Sequence, residues 1–234
     1  NTILGYLAGN ATITGAGNTA VGAEAYLLGT SGAKNVAVGG GALNANTTAS
    51  DNVAIGYDAL GANTTGAGNV GIGKDALAAN TTGSNSTAVG IDALTAQTSG
   101  DGNTAIGSNA LLTITTGATS TAVGRNALKL TTTGSANTAV GYASLDANTT
   151  GHSNVAVGNF ALSASIVGQD NVAIGYYALA LNTENSNTAV GAYTLDANTI
   201  GSQNVAMGSY ALSANTTGGQ NTAIGNNALD ANTT

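Results

Sequence analysis

The chain has 234 residues, of which only 6% are charged, against roughly 25% in a typical soluble domain. Four basic and eleven acidic residues give a formal net charge of −7, which leaves no basic patch and argues against nucleic-acid binding. No run approaches the ~18 consecutive apolar residues of a membrane span, and the absence of cysteine excludes disulfides and thiolate metal sites. Because 42% of the residues are hydrophobic, the composition does not indicate disorder, and periodicity decides the fold class.

One motif, Asn-[Thr/Val]-Ala-[Val/Ile]-Gly, recurs through the whole chain and opens fourteen copies of a repeat. The period is 17 residues, apart from one copy of 16 and a last copy of 14. We number the copies 1 to 14, and column n denotes repeat position n in successive copies. The copies start at residues 1, 18, 35, 52, 69, 86, 103, 120, 137, 154, 171, 187, 204 and 221. Nothing lies outside this array, so residues 1–234 are predicted to form a single β-solenoid without a second domain.

Columns 1–5 predict the first strand of each coil. Column 2 is Thr or Val, column 4 is Val, Ile, Leu or Met, and column 5 is Gly in all fourteen copies. An invariant Gly indicates a positive φ or a backbone approach that a Cβ would block. Residues two apart on an extended segment share a face, so columns 2 and 4 are predicted to point into the core together. Asn dominates column 1 and is predicted to form a ladder of amide hydrogen bonds along the axis.

The rest of each copy predicts a turn, a second strand and another turn. Columns 6 and 7 vary freely, as in Tyr57-Asp58 and Lys74-Asp75, which indicates an exposed turn. Column 9 is Leu in twelve copies, so columns 8–11 are predicted to form a short strand that closes the core. Columns 12–17 carry Asn-Thr-Thr-Gly and small polar residues, typical of a turn, with a ladder of Thr hydroxyls at column 13. Two strands in 17 residues predict an all-β, parallel β-solenoid of 14 coils, since helical repeats run to roughly 33–47 residues.

Column 3 is small and apolar although it faces away from the core that columns 2 and 4 are predicted to fill. It either forms a second, thin layer inside the same coil or packs as a flat face against another chain. The thin core favours the second interpretation, because assembly would bury more apolar surface. We therefore predict a homo-oligomer, specifically a trimer. Its interface residues are Ala20, Ala37, Ala54, Ala88, Ala105, Ala122, Ala139, Ala156, Ala173, Ala189, Ala206 and Ala223.

The two ends of the array lack obvious caps. Solenoids normally shield their last strand edge, yet here the last copy is as regular as the middle ones. We therefore expect that the array continues in a longer parent protein or that its ends pair with other subunits in a filament.

The repeat resembles a known family. Residues 52–59, Asn-Val-Ala-Ile-Gly-Tyr-Asp-Ala, resemble the head repeats of YadA-type trimeric autotransporter adhesins. The longer form with Asn-Thr-Thr-Gly is similar to repeats of bacterial surface proteins and phage tail fibres. The resemblance covers every copy, and it implies a left-handed parallel β-roll that packs as a trimer in a surface stalk or fibre, outside the cell or on a virion.

The sequence contains no constellation that predicts catalysis, so we expect no enzyme, no cofactor and no metal. The only histidine, His152, lies in a polar turn and is interpreted as solvated. Asp58, Asp75 and Asp92 share column 7 in three consecutive copies. Such a ladder could hold a hard cation, but an exposed turn with Lys74 beside it is the favoured interpretation.

Aromatic residues concentrate in columns 6 and 7, on the predicted turn edge. Rings at such an edge can stack on sugars or on apolar protein patches. The candidate ligand edge consists of Tyr57, Tyr142, Phe160, Tyr176, Tyr177, Tyr193 and Tyr210.

Three functions follow from these patterns. The leading one is a structural fibre or stalk module that assembles with itself through the Ala face. The alternative is an adhesin that binds a host glycan or matrix protein through the aromatic edge. The third is an ice-binding solenoid, which is disfavoured because Thr64-Thr65 are adjacent and point to opposite sides.

Overall fold

The computed structural model describes residues 1–9 and 12–234. Within these residues the secondary structure consists of fourteen three-residue strands and turns, with no helix. The strands are β1 (Thr2–Leu4), β2 (Thr19–Val21), β3 (Val36–Val38), β4 (Val53–Ile55), β5 (Val70–Ile72), β6 (Thr87–Val89), β7 (Thr104–Ile106), β8 (Thr121–Val123), β9 (Thr138–Val140), β10 (Val155–Val157), β11 (Val172–Ile174), β12 (Thr188–Val190), β13 (Val205–Met207) and β14 (Thr222–Ile224).

Two compact units divide the chain at the border between copies 7 and 8, as residues 1–119 and 120–234. In the first unit, strands β1 to β7 pair in chain order, parallel and in register, so that each column 3 residue pairs with the next. Strands β8 to β14 pair in the same way in the second unit. Each unit is therefore a parallel β-solenoid, which confirms the predicted fold class.

The coils are hydrogen-bonded to one another outside the strands as well. The Leu60 N–H donates to the Ala76 carbonyl at 2.9 Å, which links column 9 to column 8 of the next copy. The Thr64 N–H donates to the Thr81 carbonyl at 2.9 Å, which links column 13 to column 13. Successive copies are thus joined around much of the coil, and their side chains stack as ladders.

The predicted second strand at columns 8–11 is wrong, because each copy forms a turn there. All twelve Leu of column 9 have a positive φ; that of Leu60 is 52°. This left-handed conformation turns the chain sharply and aims the side chain into the coil. It costs about 1–2 kcal/mol for an L-residue. Burying a Leu side chain stabilises by about 1.5–3 kcal/mol, which offsets that cost.

The predicted direction of the strand side chains is also wrong, because column 3 points inward and columns 2 and 4 point outward. In β4, Ala54 is fully buried whereas Ile55 is 40% exposed. A Cβ added at Gly71, the column 3 residue of copy 5, would lie 3.4 Å from Leu60 Cγ. Alternation places columns 2 and 4 together, and beside the large Leu there is room only for a methyl group.

The predicted interface of twelve alanines with another chain is therefore wrong. These alanines lie inside their own coils, in agreement with the alternative interpretation of column 3 as an inner layer. Eleven are 0% exposed and one is 3% exposed, so they offer no surface to a partner. They are Ala20, Ala37, Ala54, Ala88, Ala105, Ala122, Ala139, Ala156, Ala173, Ala189, Ala206 and Ala223.

The invariant Gly of column 5 meets both expected conditions. Gly56 has a φ of 140°, and a Cβ at that position would collide with the Gly73 carbonyl of the next copy. Any side chain in this column would separate neighbouring coils, which explains why the residue does not vary along the chain.

Candidate functional site

A buried network of asparagines forms the polar half of each coil. In column 1, the Asn52 Oδ1 accepts the backbone N–H of Asn69 at 2.9 Å, and the Asn52 Nδ2 donates to the Gly66 carbonyl at 3.0 Å. The predicted ladder is present, but it runs mainly from side-chain oxygen to backbone N–H.

Column 12 contributes a second buried ladder, whereas its residue types predict only a turn. The Asn63 Nδ2 donates to the Asn46 Oδ1 at 3.0 Å and to the Gly66 carbonyl at 2.9 Å. The Gly66 carbonyl in column 15 thus accepts from both ladders, so columns 1, 12 and 15 form one network. The amides of Asn52 and Asn63 are both satisfied, which the burial of a polar group requires.

The Thr of column 13 forms the third ladder. The Thr64 hydroxyl donates to the Thr81 carbonyl at 2.9 Å, and the Thr81 hydroxyl donates to the Thr98 carbonyl at 3.0 Å. The expected hydroxyl ladder therefore runs through backbone carbonyls.

Copies 2 and 6 are examples in which an asparagine is replaced and the loss is compensated. In copy 2, Tyr26 stands in column 9 and Gly29 in column 12, and the Tyr26 hydroxyl donates to the Gly32 carbonyl at 3.0 Å, as a column 12 amide otherwise does. In copy 6, the longer Gln97 donates to the Oγ of the shorter Ser86 at 3.1 Å. The network thus tolerates exchanges that keep its hydrogen bonds.

Copy 10 replaces an asparagine without compensation. Ser165 stands in column 12, and its Oγ has no hydrogen-bond partner among the residues that the structure describes. The same holds for the Oδ1 of Asn148 in the preceding copy, where other copies receive an amide donor. Both residues are fully buried. The column 12 ladder is therefore interrupted at copy 10, as it is at copy 7, where the buried Ile114 has no polar side-chain atom.

The outward face of each sheet combines the side chains of columns 2 and 4. Column 4 is apolar in all fourteen copies, and in the middle of the first unit Ile55 is 40% and Ile72 is 37% exposed. Column 2 is either Thr or Val and is partly exposed in most strands. We call this surface the outer face; it is an ordered apolar stripe along each unit.

Six of the predicted edge aromatics form one cluster in the second unit. Phe160 lies 4.9 Å from Tyr177, Tyr177 lies 5.7 Å from Tyr193, and Tyr193 lies 5.2 Å from Tyr210, measured between ring centroids. The four rings belong to column 7 of copies 10 to 13, and we call them the aromatic column. Tyr142 and Tyr176 of column 6 pack edge-on against it. The structure leaves Tyr57 apart from this cluster, in the first unit.

The aromatic column is aligned by the backbone. Its four residues all have a positive φ, between 55° and 59°. The N–H of each donates to a column 6 carbonyl of the preceding copy, as Tyr193 does to Tyr176 at 2.9 Å. The desolvating surroundings, followed by the neighbouring Tyr176 and Tyr210, raise the pKa of the Tyr193 phenol.

The acidic part of column 7 lies in the first unit, and its residues Asp58, Asp75 and Asp92 are partly exposed. Asp58 and Asp75 line a shallow groove with Asn44 and Gly61. Lys74 forms an ion pair with Asp75 at 3.0 Å, and this carboxylate raises the pKa of the Lys74 ammonium. Within residues 1–9 and 12–234, no three His, Cys, Asp or Glu side chains gather as a metal site would need.

Two carboxyl groups of column 10 lie against the coil. Burial raises the pKa of Asp146 and of Asp196 above the ordinary aspartate value. The Oδ1 of Asp196 has no hydrogen-bond partner in the described part of the chain. An amide suits column 10 better than a carboxyl group does. In copy 3 the Asn44 Nδ2 of this column donates to the Glu24 carbonyl of the preceding copy at 3.3 Å.

His152 is exposed in its turn, as the sequence indicated. Fold and surfaces together define a repeat protein of the parallel β-solenoid class, with a buried amide network and two ordered outer surfaces. None of the described residues forms a helix that could cross a membrane. No protein-family model, curated protein or solved structure matches the chain.

Proposed function

We propose that this chain is a structural module of an extracellular fibre or stalk, on a bacterial or viral exterior, and that it associates with further copies of itself through the outer face. The observation that supports this proposal is the unbroken apolar character of column 4, whose side chains are half-exposed in a single chain. A soluble monomer gains nothing from such a stripe, whereas a second copy would bury it.

The thin core favours association as well. Each standard coil buries one Leu and two Ala, together with polar amides. Small cores of this kind are usually supplemented by oligomerisation. Each coil adds only two outward side chains, so affinity grows with the number of coils engaged, as suits a fibre of repeated units. A trimer remains the expected assembly.

Charge on the outer face tests this proposal in solution. The double variant Ile55→Lys/Ile72→Lys places two ammonium groups on the stripe in copies 4 and 5. We expect the wild-type chain to sediment as an oligomer and the variant to sediment as a folded monomer, because desolvating an unpaired charge in an interface is costly. Analytical ultracentrifugation measures the mass, and circular dichroism checks the fold.

The matched control is Thr65→Lys/Thr82→Lys, which adds the same charge to the same two copies at exposed column 14. This variant should sediment like the wild-type chain. A wild-type chain that stays monomeric at high concentration, or equal dissociation of both variants, would contradict the proposal.

Substitution in column 3 separates folding from association. Ala139 is fully buried, so Ala139→Leu overpacks the coil and should destabilise the fold by about 1–3 kcal/mol. Its thermal midpoint should fall, whereas the outer-face lysines should leave the fold intact. If Ala139→Leu instead dissociated the oligomer and left the thermal midpoint unchanged, column 3 would again be the candidate interface.

The aromatic column favours a second candidate function, adhesion to a glycan or matrix protein. Rings that are partly exposed in a row present apolar edges and hydroxyls to a ligand. A binding screen against glycans and matrix proteins should show signal that Tyr177→Ala/Tyr210→Ala abolishes and Tyr57→Ala preserves. If the wild-type chain bound none of these ligands, the fibre would be the one remaining proposed function.

A further inference from the structure

We propose that Tyr177, Tyr193 and Tyr210 form a site of oxidative cross-linking, at which a one-electron oxidant joins tyrosines of successive copies as dityrosine. The ring centroids of Tyr193 and Tyr210 lie 5.2 Å apart with planes 9° from parallel. Those of Tyr177 and Tyr193 lie 5.7 Å apart at the same angle. This proposal does not depend on the fibre function.

The coupling is intramolecular because the coils hold the phenols beside one another. Backbone hydrogen bonds fix each residue to the preceding copy, at 2.9 Å for Tyr193 and 3.0 Å for Tyr210. Two reactive groups held in contact combine far faster than two that must meet by diffusion. The three rings are accessible to an oxidant, since Tyr210 is 46% exposed and Tyr177 and Tyr193 are partly exposed.

The reaction balances with hydrogen peroxide, used by a haem peroxidase, as the oxidant. Each of two phenols loses one hydrogen atom and becomes a phenoxyl radical. The radicals combine through a bond between the ring carbons next to the oxygens. The hydrogens on these carbons then move to the oxygens, which restores both phenols. The peroxide accepts the two abstracted hydrogen atoms and becomes two water molecules, so the chain loses two hydrogens for each cross-link.

The cross-link would staple copy 12 to copy 13, or copy 11 to copy 12. It would close a loop of one repeat in the unfolded chain and so reduce the entropy gained on unfolding, as a disulfide does. The oxidised monomer should therefore unfold at a higher temperature than the untreated one.

The sequence provides the means of mapping the product. Asp196 lies between Tyr193 and Tyr210, and Glu184 lies between Tyr177 and Tyr193. The full chain is treated at high dilution with peroxidase and hydrogen peroxide, and then cleaved at acidic residues. We expect dityrosine fluorescence, and mass spectrometry should find peptides from the two sides of Asp196 or Glu184 joined with the loss of two hydrogens.

Tyr-to-Phe variants distinguish coupling between the stacked rings from oxidation of any exposed tyrosine. Tyr193→Phe keeps the ring stack but removes the central phenol, and it should lower the yield of joined peptides at least ten-fold. Tyr210→Phe should remove only the link across Asp196. Tyr57→Phe is the control, because Tyr57 makes no ring contact within the described residues and should not contribute to the joined product.

Three outcomes would overturn the proposal. The first is cross-linking only between chains, seen as dimers on a denaturing gel at every dilution. The second is an unchanged yield of joined peptides in Tyr193→Phe. The third is a product in which Tyr57 is coupled as often as Tyr193.

Discussion

Copies 2 and 10 both lack the buried asparagine of column 12, and they differ in what replaces it. In copy 2, Tyr26 reaches across the space above Gly29 and its hydroxyl takes over the bond to the Gly32 carbonyl. In copy 10, Ser165 is too short, and its hydroxyl and the Asn148 Oδ1 are both left without a partner in the described structure. The sequence of one position is therefore free to change when another position restores the hydrogen bond.

The strongest way to break the compensated copy is Gly29→Asn, which restores the usual column 12 residue in the wrong surroundings. A Cβ at Gly29 would overlap the Tyr26 ring, so this variant should lose about 3 kcal/mol of unfolding free energy. Chemical denaturation measures the loss.

The double variant Tyr26→Leu/Gly29→Asn recreates the pair found in copies 3 to 5 and should return to within about 1 kcal/mol of the wild-type chain. The two changes would then be coupled by at least about 2 kcal/mol, since Tyr26→Leu alone also costs stability. Simple additivity of the two single variants would show that Tyr26 and Gly29 do not compensate for each other.

The uncompensated copy should respond in the opposite direction. Ser165→Asn offers an amide to the Asn148 Oδ1 and removes the unsatisfied hydroxyl, so the unfolding free energy should rise by about 1–2 kcal/mol. Thermal and denaturant unfolding both report this gain.

The control places the same residue in column 12 of copy 6. There Gln97 bonds Ser86 and also accepts the Asn103 amide at 2.9 Å, so Gln97→Asn should destabilise the chain. A gain in both variants would mean that asparagine stabilises column 12 regardless of its neighbours.

Asp196 is a second uncompensated group and tests the same idea with charge. Its pKa is raised by burial, so the neutral form is favoured in the folded chain. Its contribution to stability is therefore fully present below the unfolded aspartate pKa and is lost as pH rises through the folded pKa.

Asp196→Asn removes this loss and provides a donor toward the preceding copy, as Asn44 does. At neutral pH we expect a gain of about 1 kcal/mol, which should vanish in acid, as measured by unfolding across pH. Asp51→Asn, at an exposed turn, is the control and should change little. A gain that is independent of pH would contradict this explanation.

The smallest effect is expected on the outer face. Thr104→Val exchanges the two residue types that column 2 already uses at a half-exposed position, so the unfolding free energy of the monomer should change by less than about 0.5 kcal/mol. A larger change would show that the outer face contributes to the fold of the single chain.

The period of the repeat was sufficient to predict the fold class, because only short strands and turns fit into 17 residues. It could not decide which strand face is inner. Alternation groups Val53 with Ile55 but leaves open whether that pair or Ala54 faces the core. The left-handed conformation of Leu60 decides it, since this residue fills the coil and leaves space only for a methyl group.

The amide network was only half predictable, for a related reason. Asn63 is the residue type that exposed turns use, so its burial is invisible in one copy. The signal lay in pairs of columns that depart from the consensus together in one copy, such as Ser86 with Gln97 in copy 6 and Tyr26 with Gly29 in copy 2. The cross-coil packing of the aromatic column, in contrast, follows directly from the repeat, because residues one period apart lie beside each other.

Copy 11 has 16 residues where the usual copy has 17, and its neighbours are undisturbed. The Glu184 carbonyl accepts from both Asn171 and Asn182, at 2.8 Å each, as the column 15 carbonyl does elsewhere. The pairing of Val172 with Thr188 stays in step. The turn after column 12 thus absorbs a deletion without shifting the strands. We therefore expect this turn to accept inserted peptides while the spacing between successive strands is preserved.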